Sequence, residues 1–208
     1  WHKFRIRDRL CINGRKVSIM GYTHFTSASL TFGSDQIHYT GGGMKFEVMM
    51  DWEDPLMSAS AAYVCEGGGD ILEIGFGMGI SAGYMHSHSI STHTIIENHP
   101  DIIPKAHAWA SNKSNVTIIE GNWYDVKDSL STYDGIFYDT YGDWDMDNFS
   151  SSLSSLTKVG SKVTWWNCKD TETNYFNIPD VTYKNINVSP PQNNYFNYTK
   201  YYLPKKQF

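Results

Sequence analysis

The fold prediction for this sequence depends most on the stretch DILEIGFGMGI, residues 70–80. Its first half is a largely apolar run, which is typical of a parallel strand that is buried on both faces. Its second half holds Gly75, Gly77 and Gly79, which let the backbone approach a ligand closely. The helix expected next offers free N–H groups at its start. The stretch therefore predicts an α/β protein with a ligand-binding loop after its first parallel strand.

Strand-like and helical segments alternate after this loop. One helix is expected at HPDIIPKAHAWAS (99–111), with Pro100 in its first turn. Further strands are expected at THTIIE (92–97), NVTIIEGN (115–122), YDGIFYDT (133–140) and SKVTWWNC (161–168), and a terminal antiparallel pair at VTYKNINV (181–188) and NNYFNYTKYYLPK (193–205). Such alternation indicates parallel βαβ units. We therefore expect a mostly parallel, seven-stranded sheet of Rossmann-like type, with a terminal antiparallel strand and helices on both faces.

The segment before the loop has a different character. Residues 1–45 are turn-rich, with short strands expected at VSIMGY (17–22) and LTFGSDQIHYT (30–40). The segment DWEDPLMSASAAYVCEGGG (51–69) predicts a helix that Asp54 caps, that has Pro55 in its first position and that ends at Gly67. We expect residues 1–45 to be a lid or extension and residues 46–208 to form one globular domain.

Composition narrows the class of protein. The chain has 208 residues, of which 17 are basic and 22 acidic, so its formal net charge is −5. An acidic body does not favour nucleic acid, and the mean hydropathy of −0.44 argues against a membrane protein. The three cysteines (Cys11, Cys65 and Cys168) form no CxxC motif, and the histidines have no metal-ligand spacing. We expect a reduced, cytoplasmic protein without a metal site.

The glycine loop distinguishes two classes of nucleotide ligand. A dinucleotide fingerprint would need glycine at position 80, which is Ile80. The observed G-x-G-x-G form, with Glu73 two residues before its first glycine, is similar to the S-adenosylmethionine (SAM) loop of class I methyltransferases. Glu97 ends the second strand, 18 residues after Gly79, where a carboxylate can accept both ribose hydroxyls. A nicotinamide-linked oxidoreductase remains an alternative.

Three further segments carry a family resemblance. They are VMMDWEDPLM (48–57), GNWYDV (121–126) and YDGIFYDTY (133–141). Together with EIGFGMGI (73–80) and HTIIE (93–97), they resemble guanidinoacetate methyltransferase and the related fungal-type arginine N-methyltransferase. The resemblance covers roughly residues 46–168, and it implies a SAM-dependent N-methyltransferase that acts on a guanidino or amino nitrogen.

The resemblance implies roles for two carboxylates. A guanidinium stays protonated in water, because its pKa lies above ~12, and it prefers bidentate pairing with carboxylates. By the resemblance, Glu53 and Asp139 grip the acceptor guanidine, and Asp139 helps to remove its proton. It also implies cofactor contacts from Met49, Met57, Gly75, Phe76, Gly77, Met78, Gly79, Ile80, Glu97, Asn98, Asn122, Trp123 and Asp139, and acceptor contacts from Tyr141, Asn167, Cys168 and Lys169.

The acceptor stays open at this point. Lys169 can pair with an acceptor carboxylate, but Asp170 opposes it, so guanidinoacetate and arginine-like compounds both remain. The acidic loop after Tyr141 indicates either an amine-binding surface or a helix start. The fungal-type arginine enzyme carries an extra N-terminal domain that the sequence does not show, so we expect a small-molecule acceptor. The alternative function is that of a non-catalytic SAM-binding regulatory or partner subunit. The oligomeric state stays open, and a homodimer is one possibility.

Aromatic residues make up 15% of the chain, which is unusually many. One group lies in or beside the motifs, where rings can stack on adenine or face a cation; it comprises Trp52, Trp123, Tyr138, Tyr141, Trp165 and Trp166. A second group lies in the tail, where we expect sheet packing; it comprises Tyr195, Phe196, Tyr198, Tyr201 and Tyr202.

Overall fold

The computed structural model describes residues 25–143 and 145–208. The strand expected at residues 17–22 lies outside these residues. The described chain begins with a 3-10 turn at Phe25–Ser27, followed by a small antiparallel sheet of β1 (Thr31–Phe32), β2 (Gln36–Gly41) and β3 (Met44–Met50). The strand expected within residues 30–40 is thereby found. The expected boundary between residues 45 and 46 falls inside β3, which joins the small sheet to the larger domain.

A seven-stranded sheet forms the centre of the molecule. Its strands are β4 (Asp70–Ile74), β5 (Thr92–Glu97), β6 (Val116–Glu120), β7 (Tyr133–Tyr138), β8 (Thr157–Trp165), β9 (Thr182–Asn187) and β10 (Lys200–Gln207). Their spatial order is β6-β5-β4-β7-β8-β10-β9. Strands β4 to β8 pair in parallel, whereas β10 runs antiparallel to both β8 and β9. The predicted mostly parallel sheet and its terminal antiparallel pair are confirmed.

The strand order places a crevice at one edge of the sheet. The chain passes from β4 to β5 on one side and later returns to β7 on the other side of β4. Loops that leave the carboxyl ends of β4 and β7 therefore diverge, and such a switch point is where open α/β sheets bind ligands. The glycine loop follows β4, and Asp139 follows β7 directly.

Helices cover both faces of this sheet. They are α1 (Asp54–Val64), α2 (Ile80–His86), α3 (Ile103–Ala110), α4 (Trp123–Val126) and α5 (Phe149–Leu156). Because side chains alternate along a strand, Ile71 of β4 packs in the cluster that holds Leu56 of α1, whereas neighbouring Leu72 packs in the cluster that holds Leu153 of α5. All four side chains are at most 2% exposed. Both faces are thus closed by apolar cores.

Three local expectations were wrong in detail. Asp54 is the first residue of α1 instead of its cap, because a 3-10 turn at Asp51–Glu53 leads directly into the helix. Pro100 lies in a turn before α3, and Pro104 occupies the first turn of that helix. Cys65 is a buried free thiol, but Cys168 is disulfide-bonded, so the expectation of a fully reduced chain was also wrong. Spacing along the sequence does not show which sulfurs meet in space.

Candidate active site

A cavity of about 230 Å³ opens at the carboxyl ends of β4 and β7. Its floor comes from the glycine loop after β4 and from the end of β5. Its sides come from β3, from the loop after β7 and from residues that follow β8 and precede β10. Segments from the whole length of the described chain therefore meet around one space.

The glycine loop needs glycine because its neighbours approach too closely for a side chain. Gly75 has a φ of 98°, and a Cβ there would lie 1.9 Å from the carbonyl oxygen of Asp139. Gly77 has a φ of 54°, and its Cβ would lie 2.5 Å from the Sδ of Met49. Both values lie in the left-handed region that L side chains rarely adopt. The loop therefore brings its own backbone against β3 and the end of β7.

Glu97 ties this loop to the end of β5. Its Oε2 accepts hydrogen bonds from the backbone N–H groups of Phe76 (2.9 Å) and Gly77 (3.4 Å). Its Oε1 accepts from the N–H groups of Asn98 (2.9 Å) and His99 (2.8 Å). The buried carboxylate is satisfied by backbone donors, and it lines the cavity beside Asn98. A ribose that binds here must share or replace some of these hydrogen bonds.

Glu53 and Asp139 both line the cavity, although they come from distant parts of the chain. Glu53 ends the 3-10 turn before α1 and is buried, with 3% of its surface exposed. Burial raises its pKa from 4.5 to about 8, and the nearby charge of Asp139 contributes. Burial also raises the pKa of Asp139 from 3.8 to about 7, with a contribution from the charge of Glu73. Two carboxyl groups that are costly to ionise together fit a cationic ligand.

Aromatic side chains form one side of the cavity near Glu53. The hydroxyl of Tyr195 donates a hydrogen bond of 2.6 Å to Oε1 of Glu53. The Tyr195 ring lies 6.0 Å from the rings of both Trp52 and Trp166 between centroids. Tyr195 and Trp166 line the cavity, so rings face the space that the carboxylates border. Such rings favour a cation in the same space.

The charge of the lining has one sign. Its ionisable carboxylates are Glu53, Glu97, Asp139, Asp143 and Asp147, and none of the described lining residues is Lys, Arg or His. An acidic, partly apolar cavity attracts positively charged ligands and repels anionic ones. A sulfonium cofactor and a guanidinium or ammonium acceptor both satisfy this requirement.

The comparisons with known proteins agree with this geometry. A family model described as guanidinoacetate N-methyltransferase matches residues 22–187. The chain belongs to this family. The match confirms the resemblance to this family, and it disfavours the nicotinamide-linked alternative.

Curated relatives in the family are fungal proteins named protein arginine N-methyltransferase 2. The protein from Kluyveromyces lactis is 31% identical over 194 residues, which cover 77% of this chain and 47% of the relative. The protein from Aspergillus fumigatus is 35% identical over 156 residues, which cover 70% of this chain and 36% of the relative. The chain thus spans half or less of the length of these relatives.

Solved structures support the fold alone. The N-methyltransferase NodS from Bradyrhizobium japonicum, in complex with S-adenosyl-L-homocysteine, is similar with a TM-score of 0.59 at 14% identity, and the match covers 74% of this chain and 86% of that one. A spermidine synthase in complex with the transition-state analogue AdoDATO has a TM-score of 0.58 at 10% identity, covering 82% and 64%. The class I methyltransferase fold is therefore confirmed.

The structure brings most of the expected site residues of this family member to the cavity. Those that line it are Met49, Glu53, Gly75, Phe76, Gly77, Glu97, Asn98, Trp123, Asp139, Tyr141 and Cys168. Those that do not are Met57, Met78, Gly79, Ile80, Asn122, Asn167 and Lys169. The roles of the first group remain predictions.

Several residues of the second group have structural contacts instead. Met57 is 1% exposed in the core below α1. The side chain of Asn122 accepts a hydrogen bond from the N–H of Tyr124 at the start of α4. The side-chain amide of buried Asn167 donates to the carbonyl groups of Thr171 and Tyr202, which holds the loop after β8. These contacts leave the three side chains outside the cavity wall.

The acidic loop after Tyr141 is partly used inside the protein. Asp143 accepts hydrogen bonds from Trp123 Nε1 (2.7 Å) and from the hydroxyl of Tyr138. Asp145 accepts from the side chain of Asn122 (2.9 Å) and precedes a 3-10 turn at Met146–Asn148. The loop is therefore a helix start. It also adds the carboxylates of Asp143 and Asp147 to the cavity lining.

Sequence reasoning missed Tyr195 as a cavity residue. We assigned the tail aromatics to sheet packing, but Tyr195, Phe196 and Tyr198 precede β10 and lie in a loop. Of the motif-associated rings, Trp123, Tyr141 and Trp166 line the cavity, whereas Trp52, Tyr138 and Trp165 do not. The Asn-rich composition of the tail could have indicated a loop at these positions, because asparagine stabilises turns.

Two further features of the described residues concern membranes and metals. No helix there is long and apolar enough to cross a membrane. No group of three or more His, Cys, Asp or Glu residues there could hold a metal ion.

Proposed function

We propose that this chain is a SAM-dependent N-methyltransferase whose acceptor is a guanidino or amino nitrogen. The observation that carries the proposal is the pair of Glu53 and Asp139, two carboxyl groups of raised pKa in one acidic cavity beside the glycine loop. A non-catalytic SAM-binding subunit of the same fold is the alternative. The pair argues against it, because burying two carboxyl groups costs stability that cofactor binding alone does not require.

The residues beside the glycine loop fit the cofactor. Gly75 and Gly77 keep the floor free of side chains, and Glu97 with Asn98 borders the same space. The charged side chains among the described lining residues are all acidic, which matches the positive charge of a sulfonium. We therefore propose that these residues, with Met49 and Trp123, hold SAM, which when bound supplies a methyl group whose C–S bond breaks as the N–C bond forms.

The two carboxyl groups supply what the acceptor nitrogen needs. A guanidinium with a pKa above ~12 cannot attack until it is oriented and its proton has a destination. Glu53 and Asp139 orient it by paired hydrogen bonds. An ordinary aspartate is a very weak base toward this proton, and the raised pKa of Asp139 narrows the gap. Both carboxyl groups have raised pKa values, so the division of roles follows the family resemblance. Proton acceptance is assigned to Asp139, and orientation mainly to Glu53, whose Oε1 already accepts two hydrogen bonds.

The acceptor is best sought among cations without a nearby carboxylate. No cationic side chain stands among the described lining residues, and Lys169 is exposed outside the lining. An acceptor carboxylate would therefore meet no cationic partner among the described lining residues. This favours agmatine-like compounds or an arginine within a peptide over guanidinoacetate. The fungal relatives are named for protein arginine, so peptide arginine is the second candidate beside a small molecule.

A labelled-methyl assay tests this proposal. The chain is incubated with labelled SAM and, separately, with arginine, guanidinoacetate, agmatine and an arginine-containing peptide. We expect label on at least one guanidino compound, with agmatine or the peptide preferred. Substitution Asp139→Asn should keep SAM affinity and lower turnover by roughly 100-fold or more. The matched control Asp128→Asn, at an exposed carboxylate paired with Lys127, should leave turnover unchanged.

Two results would contradict the proposal. Binding of SAM without label on any acceptor of the panel would favour the non-catalytic alternative. Full turnover in the Asp139→Asn variant would remove the assigned proton acceptor.

A further inference from the structure

We propose that Tyr195 is a positioning residue that orients Glu53 toward the acceptor nitrogen. This inference rests on the proposed function, and it adds a residue from the tail loop, residues 188–199, to the machinery. The loop lies about 140 positions after Glu53 in the chain, since the hydrogen bond between Tyr195 and Glu53 spans 142 residues. Nothing in the local sequence around either residue indicates the contact.

The two hydrogen bonds that Glu53 accepts converge on one oxygen. The backbone N–H of Met50 donates to Oε1 at 2.8 Å, and the hydroxyl of Tyr195 donates to the same Oε1 at 2.6 Å. Within the part of the chain that the structure describes, Oε2 accepts no hydrogen bond. It retains accessible surface, because it is absent from the buried side-chain atoms that lack a partner. Because Glu53 lines the cavity, Oε2 is the oxygen that remains for a ligand. The clamp on Oε1 therefore selects which oxygen faces the acceptor.

The tail loop is built to hold Tyr195 in place. The side-chain oxygen of Asn193 accepts hydrogen bonds from the N–H groups of Tyr195 (2.9 Å) and Phe196 (2.7 Å). The side-chain amide of Asn194 donates to the carbonyl oxygen of Lys45 at 2.8 Å, which docks the loop on β3. Buried Asn193 thus fixes the loop by bonds within it, and half-buried Asn194 fixes it by a bond to β3. Two asparagines of the tail therefore have a structural role in this loop.

The ring of Tyr195 is held separately from its hydroxyl. It lies 6.0 Å from the Trp52 ring at an interplanar angle of 29°, and 6.0 Å from the Trp166 ring at 59°. These ring contacts do not involve the hydroxyl, so phenylalanine can replace tyrosine without losing them. The substitution Tyr195→Phe therefore removes the hydrogen bond to Glu53 and preserves the wall.

The test compares Tyr195→Phe with the unaltered chain, using an acceptor that the unaltered chain methylates. We expect kcat to fall by roughly 10-fold or more, since a hydrogen bond to a charged group is lost, while the Kd for SAM and the melting temperature stay close to their original values. Tyr198→Phe is the matched control, because Tyr198 lies in the same loop, packs on Phe196 and does not line the cavity. It should keep full activity.

The pH profile separates positioning from a merely structural role. The groups that face Glu53 are Asp139 at the end of β7, Tyr195 from the tail loop and Tyr201 of β10. The Tyr195 hydroxyl favours the ionised form of Glu53, so its loss raises the pKa of Glu53. The acidic limb of kcat/KM should therefore move to higher pH by roughly half to one unit in Tyr195→Phe.

A double-mutant cycle with Glu53→Gln completes the test. If Tyr195 acts through Glu53, Tyr195→Phe should cost much less in single-turnover rate when Glu53 is already glutamine. Unchanged kcat and pH profile in Tyr195→Phe would overturn the inference and leave the proposed function intact. An equal rate loss in both backgrounds would also overturn it. Absence of methyl transfer by the unaltered chain would instead count against the proposed function.

Discussion

Substitution of Gly75 by alanine should damage both the fold and the site. The added Cβ would lie 1.9 Å from the carbonyl oxygen of Asp139 and 3.0 Å from its carbonyl carbon, where no flexible side chain can move aside. The left-handed φ of 98° costs a further ~1–2 kcal/mol for a residue with a side chain. The backbone after β4 and the backbone after β7 must therefore separate. We expect a loss of at least ~2–4 kcal/mol in the free energy of unfolding.

Gly83→Ala is the matched control for this substitution. Gly83 lies inside α2 and a Cβ there would meet nothing within 4 Å, so alanine should stabilise the helix by up to ~1 kcal/mol. Urea denaturation gives the stability of each variant, and calorimetry gives its affinity for SAM. Gly75→Ala should lose measurable SAM binding, whereas Gly83→Ala should keep it. Stability of Gly75→Ala within ~0.5 kcal/mol of the unaltered chain, with SAM affinity retained, would refute the reasoning.

The raised pKa values of the carboxyl pair lead to two further expectations. The kcat/KM for a cationic acceptor should rise with pH through the range of about 7 to 8, because ionised Glu53 and Asp139 hold the cation; a profile that is flat from pH 6 to pH 9 would contradict this. In the ligand-free chain, a raised folded-state pKa means that the folded state binds the proton of Glu53 more tightly than the unfolded state does. Glu53 therefore contributes stability below pH 4.5 that is lost as pH rises toward about 8. The free energy of unfolding of Glu53→Gln should therefore increase, relative to that of the unaltered chain, between pH 5 and pH 8. Urea denaturation at both pH values measures this difference.

Local patterns predicted much of the fold. The segment THTIIE coincides with β5, and the helix after Pro55 begins and ends close to its expected limits. These elements follow from side-chain periodicity, apolar content and the backbone restrictions of Pro and Gly, all of which act within a few residues. The start of α3 was less accurate, because a turn that contains Pro100 precedes this helix.

The candidate site was predictable only in part. Glu53, Glu97 and Asp139 were identified because each lies in a recognisable motif, and all three line one cavity. Asn167 was assigned to the acceptor, but its buried amide holds the chain between β8 and β10. A motif indicates that a residue has a specific role, but it does not show whether its side chain faces the cavity or the backbone behind it.

Short, local patterns in the sequence are sufficient to predict the succession of strands along the chain, the glycine loop and the two carboxylates. The surroundings of those carboxylates, in contrast, depend on the tertiary structure. Burial raises the pKa of Glu53, and the tail loop brings the Tyr195 hydroxyl to one of its oxygens. Desolvation and a contact across 142 residues depend on how distant segments pack, so neither can be read from the residues next to Glu53.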